Sequence, residues 1–396
     1  MRDRFSRLSI LGASLVLALS ISATSLRAES TPPGQQGQAC GSPSSIDDDW
    51  EIASPASVGM DGAQLCTVAA RLAQRATAVH SVVVVRHGKL VLEQYFPGYD
   101  QPWGQPDGQY EFTATTKHDM RSASKSVTSL LVGIAIDRKL IAGVDEPVLK
   151  FFPDTAAVKQ PGWDAITLRH LLTMSSGIKW DEARAWTDPE NDEPHLTFEA
   201  DPIGYVLAKP VAAPPDALWT YSGGGTELLG GIIERVSKQP LEAFAREALF
   251  QPLGIADVEW KPYKNGKIAA AAGLRLRPRD AAKIGQLVLN RGRWNGQQIV
   301  SADWIAQSIT PRFQATGYFG GTLFYGYQWW MGRSLANGKE IKWVGAFGWG
   351  GQRIFIVPEL DLVMMTTAAQ YGQPKEGLAA MDILTNIVIP SVRDAH

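Results

Sequence analysis

The strongest constraint on this fold is that the chain keeps its most apolar strand signals near its two ends. Residues 82–85 and 90–96, joined by His87, Gly88 and Lys89, read as a β-hairpin. The first strand of that hairpin is apolar at successive positions, so both of its faces must be covered. Residues 353–357 and 362–367, flanking a turn over 358–361, form a second such pair far downstream. Between the pairs the apolar period changes from two to the helical value over residues 167–174, 226–236, 240–250 and 278–290, with Gly292 as a stop. Another amphipathic helix is expected over 378–389. Strand, then helices, then strand predicts an α/β (α+β) domain: one antiparallel sheet built from both termini and flanked by helices, with a mostly helical insertion at about 145–310.

Ahead of that domain, Arg2, Arg4 and Arg7 precede an apolar, serine-dotted run over 8–23 and then Ser25, Leu26, Arg27 and Ala28. That is the order of a secretory signal, residues 1–28, with cleavage near Ala28. The run is short for a bilayer span, and no later stretch reaches about 18 uninterrupted apolar residues. The expectation is an exported protein, periplasmic or secreted; an uncleaved membrane anchor is the alternative. Residues 29–49, with Pro32, Pro33, Gly34 and Asp47 to Asp49, read as a flexible, solvated arm, so that the domain runs from 50 to 396.

The only cysteines, Cys40 and Cys66, can pair in an oxidising compartment. Two cysteines cannot hold zinc alone, and the six histidines show no HExxH spacing, so no metal and no cofactor is expected. With 45% hydrophobic residues and a formal charge of -2, the chain is neither basic enough for a nucleic-acid partner nor acidic enough for disorder. A small-molecule partner remains.

Chemistry concentrates at Ser122 and Lys125. From Ser122 the apolar positions Val127, Leu130, Leu131 and Ile134 mark one face of a buried helix, and a separation of three residues puts the serine and lysine side chains on one face. The helix N-terminus offers unpaired N–H groups to an oxyanion formed at Ser122. Lys125 works as a base only if desolvation or a neighbouring cation lowers its pKa, and the apolar helix would supply desolvation. Ser124 is expected to tolerate alanine. Downstream, Tyr221 lies in a loop before a helix, where a phenol beside an ammonium would ionise more easily and could share the proton. Finally Gly348, Trp349, Gly350 and Gly351 lead into a strand whose edge amide could be a second oxyanion donor. Each feature has a plain alternative: a capping serine with a solvated lysine, a packed aromatic, a flexible glycine turn. A Ser-His-Asp hydrolase would need a G-x-S-x-G elbow, and the chain has none.

Taken in order, the stretches at 121–133 (RSASKSVTSLLVG), 171–177 (LLTMSSG), 219–230 (WTYSGGGTELLG), 251–255 (QPLGI) and 350–358 resemble the serine β-lactamase superfamily. Its branch of class C β-lactamases, family VIII esterases and 6-aminohexanoate-dimer hydrolases is the most similar, the last group through Trp180, Asp181 and Glu182. The resemblance implies a β-lactamase/transpeptidase-like fold over roughly 50–390, with Ser122 as nucleophile, Lys125 as its base and Tyr221 as the proton-shuttling phenol. It also implies oxyanion donors at the amide of Ser122 and in the glycine-rich strand, for which Trp349, with Gly348 beside it, is chosen over Ala346. Two departures matter. The family's Tyr-x-Asn reads Tyr221, Ser222, Gly223, and its Lys-Thr-Gly strand motif has no match.

The implied activity is a serine hydrolase cleaving a carboxylic ester or linear amide through an acyl-enzyme. The alternatives are a class C-type β-lactamase, a D-Ala-D-Ala peptidase, or a non-catalytic penicillin-binding-like module. The acidic run at 181–201, interleaved with Trp186 and Phe198, is either a solvated face or a border of the cleft that attracts a protonated amine. Oligomeric state is left open.

Overall fold

The computed structural model describes residues 42–74, 77–153, 155, 161–373 and 376–393. The expected signal at 1–28, most of the arm and Cys40 lie outside the described residues. Cys66 carries no free thiol.

Nine strands of the described residues form one sheet: β1 (Glu51–Ile52), β2 (Val79–Arg86), β3 (Lys89–Tyr95), β4 (Phe313–Gln314), β5 (Phe324–Tyr325), β6 (Trp330–Ala336), β7 (Lys339–Gly348), β8 (Gln352–Val357) and β9 (Leu362–Ala368). Their order is β1-β3-β2-β9-β8-β7-β6-β5-β4. The two terminal hairpins therefore meet at the β2–β9 pair, where Met364 stands opposite Val84. The sheet is mixed, because β1 runs parallel to β3 while all other neighbours are antiparallel. At the β2–β3 turn His87 and Gly88 both have positive φ, the two-residue geometry whose twist matches the flanking strands.

Both sheet faces are covered, as the run of valines requires. Val83, Val85, Ile354, Ile356, Val363 and Met365 join one core cluster, while Val82, Val84, Phe355, Val357, Leu362 and Met364 join the other. The alternation is the period-two signature of a strand between two apolar layers. Five helices matter below: α1 (Thr67–Gln74), α2 (Ala123–Asp137), α3 (Gly223–Ser237), α4 (Pro278–Leu289) and α5 (Leu378–Ile383). Helices α2 and α4 feed the first cluster with Val127, Leu130, Ile284 and Leu287, and α1 and α5 feed the second with Val68, Leu72, Ala380 and Ile383. Buried from Ala123 to Ala135, α2 is enclosed on every side rather than along one stripe.

Two expectations change. Within 145–310 the helices are joined by long irregular segments and by short strands such as Glu259–Trp260 and Leu274–Leu276, the latter pairing with both Glu259–Trp260 and His118–Asp119. These segments satisfy their backbone groups without helical periodicity, which the apolar pattern could not show. The end of the solvated arm is also tied down. The fully buried Arg279 of α4 donates to Glu93 through Nε at 2.7 Å and Nη2 at 2.6 Å, to Asp48 at 3.0 Å and to the Ser44 carbonyl at 2.6 Å. Replacing that guanidinium leaves two buried carboxylates unpaired. Arg279→Met is expected to lose about 3–5 kcal/mol in denaturant unfolding; a loss below about 1 kcal/mol would show that the ion network does not anchor residues 44–48.

Candidate active site

Ser122 occupies the N-cap position of α2 but makes no capping hydrogen bond, so its hydroxyl is not spent on the helix. It follows Arg121, a non-glycine residue at φ 49°, a strained left-handed turn that aims the next side chain away from the helix axis. Ser124 is held instead by bonds that do not cap the helix: its hydroxyl donates to the Arg121 carbonyl at 2.6 Å and accepts from the Leu274 amide at 3.2 Å. Ser124 is therefore a buried structural group, so alanine there costs stability, whereas the sequence-based expectation that it tolerates alanine concerns turnover.

One turn on, the Lys125 ammonium donates to Ser122 Oγ at 2.9 Å and reaches the Ala271 carbonyl at 3.5 Å. Lys125 is 1% exposed, and its Nζ lies 4.9 Å from the centre of the Tyr221 ring. The loop that delivers Tyr221 is pinned on both sides: the Thr220 amide donates to the Met174 carbonyl, and Ser222 caps α3 through the Gly225 amide. Tyr318, Trp330 and Tyr325 surround the phenol at ring separations of 5.2, 5.5 and 6.0 Å. Ser122, Lys125 and Tyr221 are thus brought together, and the phenol interacts with the Ser122 hydroxyl.

The β7–β8 turn supplies the remaining wall. A Cβ at Gly348 would collide with the carbonyl oxygen of Met120, so glycine lets the strand end come against the turn that carries Ser122. Arg353 fixes the Gly348 carbonyl at 2.6 Å. Neither the Ser122 amide nor the Trp349 amide has an acceptor among the described residues. The Trp349 ring is 39% exposed and stacks on Trp186, with centres 5.9 Å apart, and against Tyr371 at 5.0 Å.

The electrostatics differ from the sequence-based expectation. Burial pulls the Lys125 ammonium down, but Tyr221 and the carboxyls of Glu182, Glu193 and Glu227 outweigh it and hold it above the usual lysine range. Burial likewise pushes the Tyr221 phenol up, more than Lys125 and Ser122 pull it down. The lowering predicted for both fails for different reasons: burial itself raises the phenol, and for the lysine an apolar helix face says nothing about carboxyl groups delivered by other segments. Glu182 accepts from the Gly223 amide at 2.6 Å and the Trp180 indole at 2.7 Å. Glu193 is pushed far up by burial and then by the neighbouring Glu182. Its Oε2 finds no donor among the described residues, which orphans it as a carboxylate and satisfies it as an acid donating to Glu182. Glu227, on α3, accepts from Tyr263 at 2.7 Å and from the amides of Ala271 and Ala270 at 2.8 and 3.2 Å.

This constellation has relatives. A family model described as Beta-lactamase matches residues 67–384. The chain belongs to the Beta-lactamase family. It is 29% identical over 208 residues to the lovastatin esterase of Penicillium rubens, covering 49% of this chain and 50% of that one. To the 6-aminohexanoate-dimer hydrolase of Paenarthrobacter ureafaciens it is 23% identical over 312 residues, covering 73% and 72%. The octameric penicillin-binding protein homologue from Pyrococcus abyssi shares its fold at a TM-score of 0.64 and 23% identity, over 85% of this chain and 79% of that one. The chain spans half the length, or less, of several curated relatives that it matches.

Within the Beta-lactamase family frame, the departures acquire structural reasons. Gly223 stands where the Tyr-x-Asn motif has asparagine, and a Cβ there would run into the Glu193 carboxyl. Glycine at 223 leaves the room that the buried Glu193 carboxyl takes. On the strand side the nearby cation is Arg353, but it is buried and engaged with the carbonyls of Gly348 and Gln352 and with Glu376. The acidic run splits in two. Asp181, Asp188 and Glu190 pair with Arg184, and Asp192 pairs with Lys209, while Glu182 and Glu193 turn inward to Lys125. The sequence places Glu182 in a motif and, with Glu193, in the acidic run, but gives no sign of Glu227, buried on α3.

Burial pushes Glu227 up to about 7, against the pull of Tyr263, the two amides and Lys125. Its folded pKa is raised, so its contribution to stability is complete below the ordinary value of 4.5 and is lost as pH rises through about 7. The stability of the native chain relative to Glu227→Gln is therefore expected to decline across that window in denaturant titrations. Parallel curves for the two proteins would mean that Glu227 titrates as an ordinary carboxyl.

Proposed function

We propose that this protein is a serine hydrolase that cleaves carboxylic esters or linear amides through an acyl-enzyme on Ser122. The observation that carries the reading is the 2.9 Å contact between a buried lysine ammonium and a serine hydroxyl that caps nothing, with a phenol packed beside both. Relatives named as a lovastatin esterase and a 6-aminohexanoate-dimer hydrolase support the choice of ester and linear amide.

In the resting state both Lys125 and Tyr221 keep their protons. Once one proton has left the pair, the Ser122 hydroxyl can pass its own to them as Oγ attacks the acyl carbon, and the pair returns it to the leaving oxygen or nitrogen. Water then repeats the exchange on the acyl-enzyme. The Ser122 and Trp349 amides, which have no acceptor among the described residues, would receive the oxyanion. Trp186, Trp349 and Tyr371 would form an aromatic rim suited to an apolar acyl or alcohol portion. Export belongs to the proposal, supported by the arginine-led apolar run before Ala28. Among the described residues no helix is long and apolar enough to cross a membrane.

Removing the nucleophile separates this reading from a non-catalytic binding module. Ser122→Ala is expected to lose about 10⁵-fold or more in kcat, whereas Ser124→Ala keeps turnover and loses about 1–3 kcal/mol of stability. Lys125→Arg should be nearly inactive, because a guanidinium cannot give up its proton. For the native protein kcat/KM should climb with pH, since both protons are held tightly. Substantial activity in Ser122→Ala or Lys125→Arg would remove that residue from the mechanism.

Substrate choice follows from the strand that lacks a free cation. Cell-wall peptides and β-lactams carry a carboxylate beside the reacting carbonyl, which needs a charged partner. Comparison of a p-nitrophenyl ester, a linear ω-amino amide, nitrocefin and a D-Ala-D-Ala peptide is expected to rank the first two highest. Nitrocefin turnover approaching about 10⁶ M⁻¹s⁻¹ in kcat/KM would overturn that order.

A further inference from the structure

We propose that His80, Asp100 and His118 bind one divalent transition-metal ion of the zinc class, at a place separate from the acyl-transfer groups. His80 lies on β2, Asp100 ends the short strand Gly98–Asp100, and His118 begins His118–Asp119. All three are buried, at 0, 3 and 1% exposure. His80 Nδ1 lies 3.0 Å from His118 Nε2, which lies 3.3 Å from Asp100 Oδ2, and the three atoms are mutually within 4.8 Å. Nitrogen and oxygen ligands about 2.0–2.1 Å from a tetrahedral ion stand about 3.3 Å apart, which is the spacing of these two contacts.

The surroundings orient each ligand atom inward. His118 Nδ1 donates to the Asp119 carbonyl at 3.2 Å, which leaves a lone pair on Nε2. Asp100 Oδ1 accepts from the Gln101 amide at 2.9 Å and from the Tyr371 hydroxyl at 3.3 Å, so Oδ2 is the oxygen left toward the imidazoles. His80 Nε2 has no hydrogen-bond partner among the described residues, and a ring proton placed there leaves Nδ1 as the second nitrogen lone pair. The Phe112 ring stacks on His80 with centres 4.0 Å apart and planes at 11°, fixing the imidazole in an apolar shell.

Three acceptors then converge in a buried space. A positive centre is needed between Asp100 Oδ2, His118 Nε2 and His80 Nδ1, and it is either a proton on His118 Nε2, which pairs it with Asp100, or a metal ion held by all three. A cation resolves all three at once, and two imidazoles with one carboxylate suit zinc better than calcium or magnesium.

Because no ligand is exposed, the ion's part is structural. It would join β2 to the segment leading into Arg121 and Ser122. Asp119, beside His118, already holds Arg121 at 3.1 Å and Arg275 at 2.7 Å, so the metal would sit behind the strained turn that presents the serine.

The test uses the untagged full chain, stripped with a chelator and dialysed against Zn²⁺ or Co²⁺. Retention of about one Zn²⁺ per chain by elemental analysis is expected, with visible ligand-field bands of tetrahedral strength for Co²⁺. Asp100→Asn and His118→Ala should each weaken retention tenfold or more. Restoring Zn²⁺ should raise Tm for the native chain and leave Asp100→Asn unmoved. Stripped protein that is folded yet takes up no stoichiometric metal would overturn the site, as would variants that retain metal as tightly as the native chain. Should His118→Ala fail to fold, the native titration and Asp100→Asn decide the question alone.

Discussion

A lysine ammonium cannot be taken out of water without a countercharge, and the architecture around Ser122 follows from that requirement. Lys125 is enclosed because α2 is enclosed, and α2 is enclosed because it packs between the sheet and α3. Desolvation of this size would ordinarily force the amine to neutralise. Here three carboxyl groups from three separate segments oppose it: Glu182 from an irregular loop, Glu193 from the helix Asp192–Phe198 and Glu227 from α3. None of them reaches the ammonium as a simple ion pair. Their field acts at a distance, through a low-dielectric interior where charges are weakly screened.

That arrangement has its own internal conflict, because three buried carboxylates would repel one another. It is relieved by protonation of Glu193 and by backbone amides and a tyrosine hydroxyl at Glu227. The glycines of the α3 N-terminus belong to the same solution, since Gly223 gives its amide to Glu182 and leaves room for Glu193. A flexible-looking glycine run is thereby a packed and hydrogen-bonded surface.

The parts of this that were legible in the sequence are those with a local period or a short spacing. Alternating and continuous apolar runs placed β2, β3, β8 and β9, and the three-residue separation of Ser122 and Lys125 placed their side chains together. Tyr221 and the Gly348–Trp349 turn stood out as a phenol before a helix and a glycine run before a strand, and resemblance assigned them their roles. What stayed hidden depends on long-range approach. No spacing relates Glu193 or Glu227 to Lys125, and nothing in the order of His80, Asp100 and His118 reveals that three elements converge. The pKa directions were misjudged for the same reason: desolvation can be read from a helix face, whereas the opposing field needs coordinates. The plain alternative for Ser122, a capping role, does not hold, because its hydroxyl makes no cap bond.

The meeting of the two terminal hairpins also bears on how the molecule is made. β2 has β3 on one edge within a few residues, but its other edge waits for β9, which is synthesised almost three hundred residues later. Until Leu362–Ala368 emerges, a strand rich in valine has an open ladder and two bare apolar faces, and the α2 turn lacks the wall formed at Gly348. Pairing across so much chain is slow, because the closure entropy is met before any contact repays it. The open edge of β2 is therefore a hazard for aggregation for as long as β9 is missing.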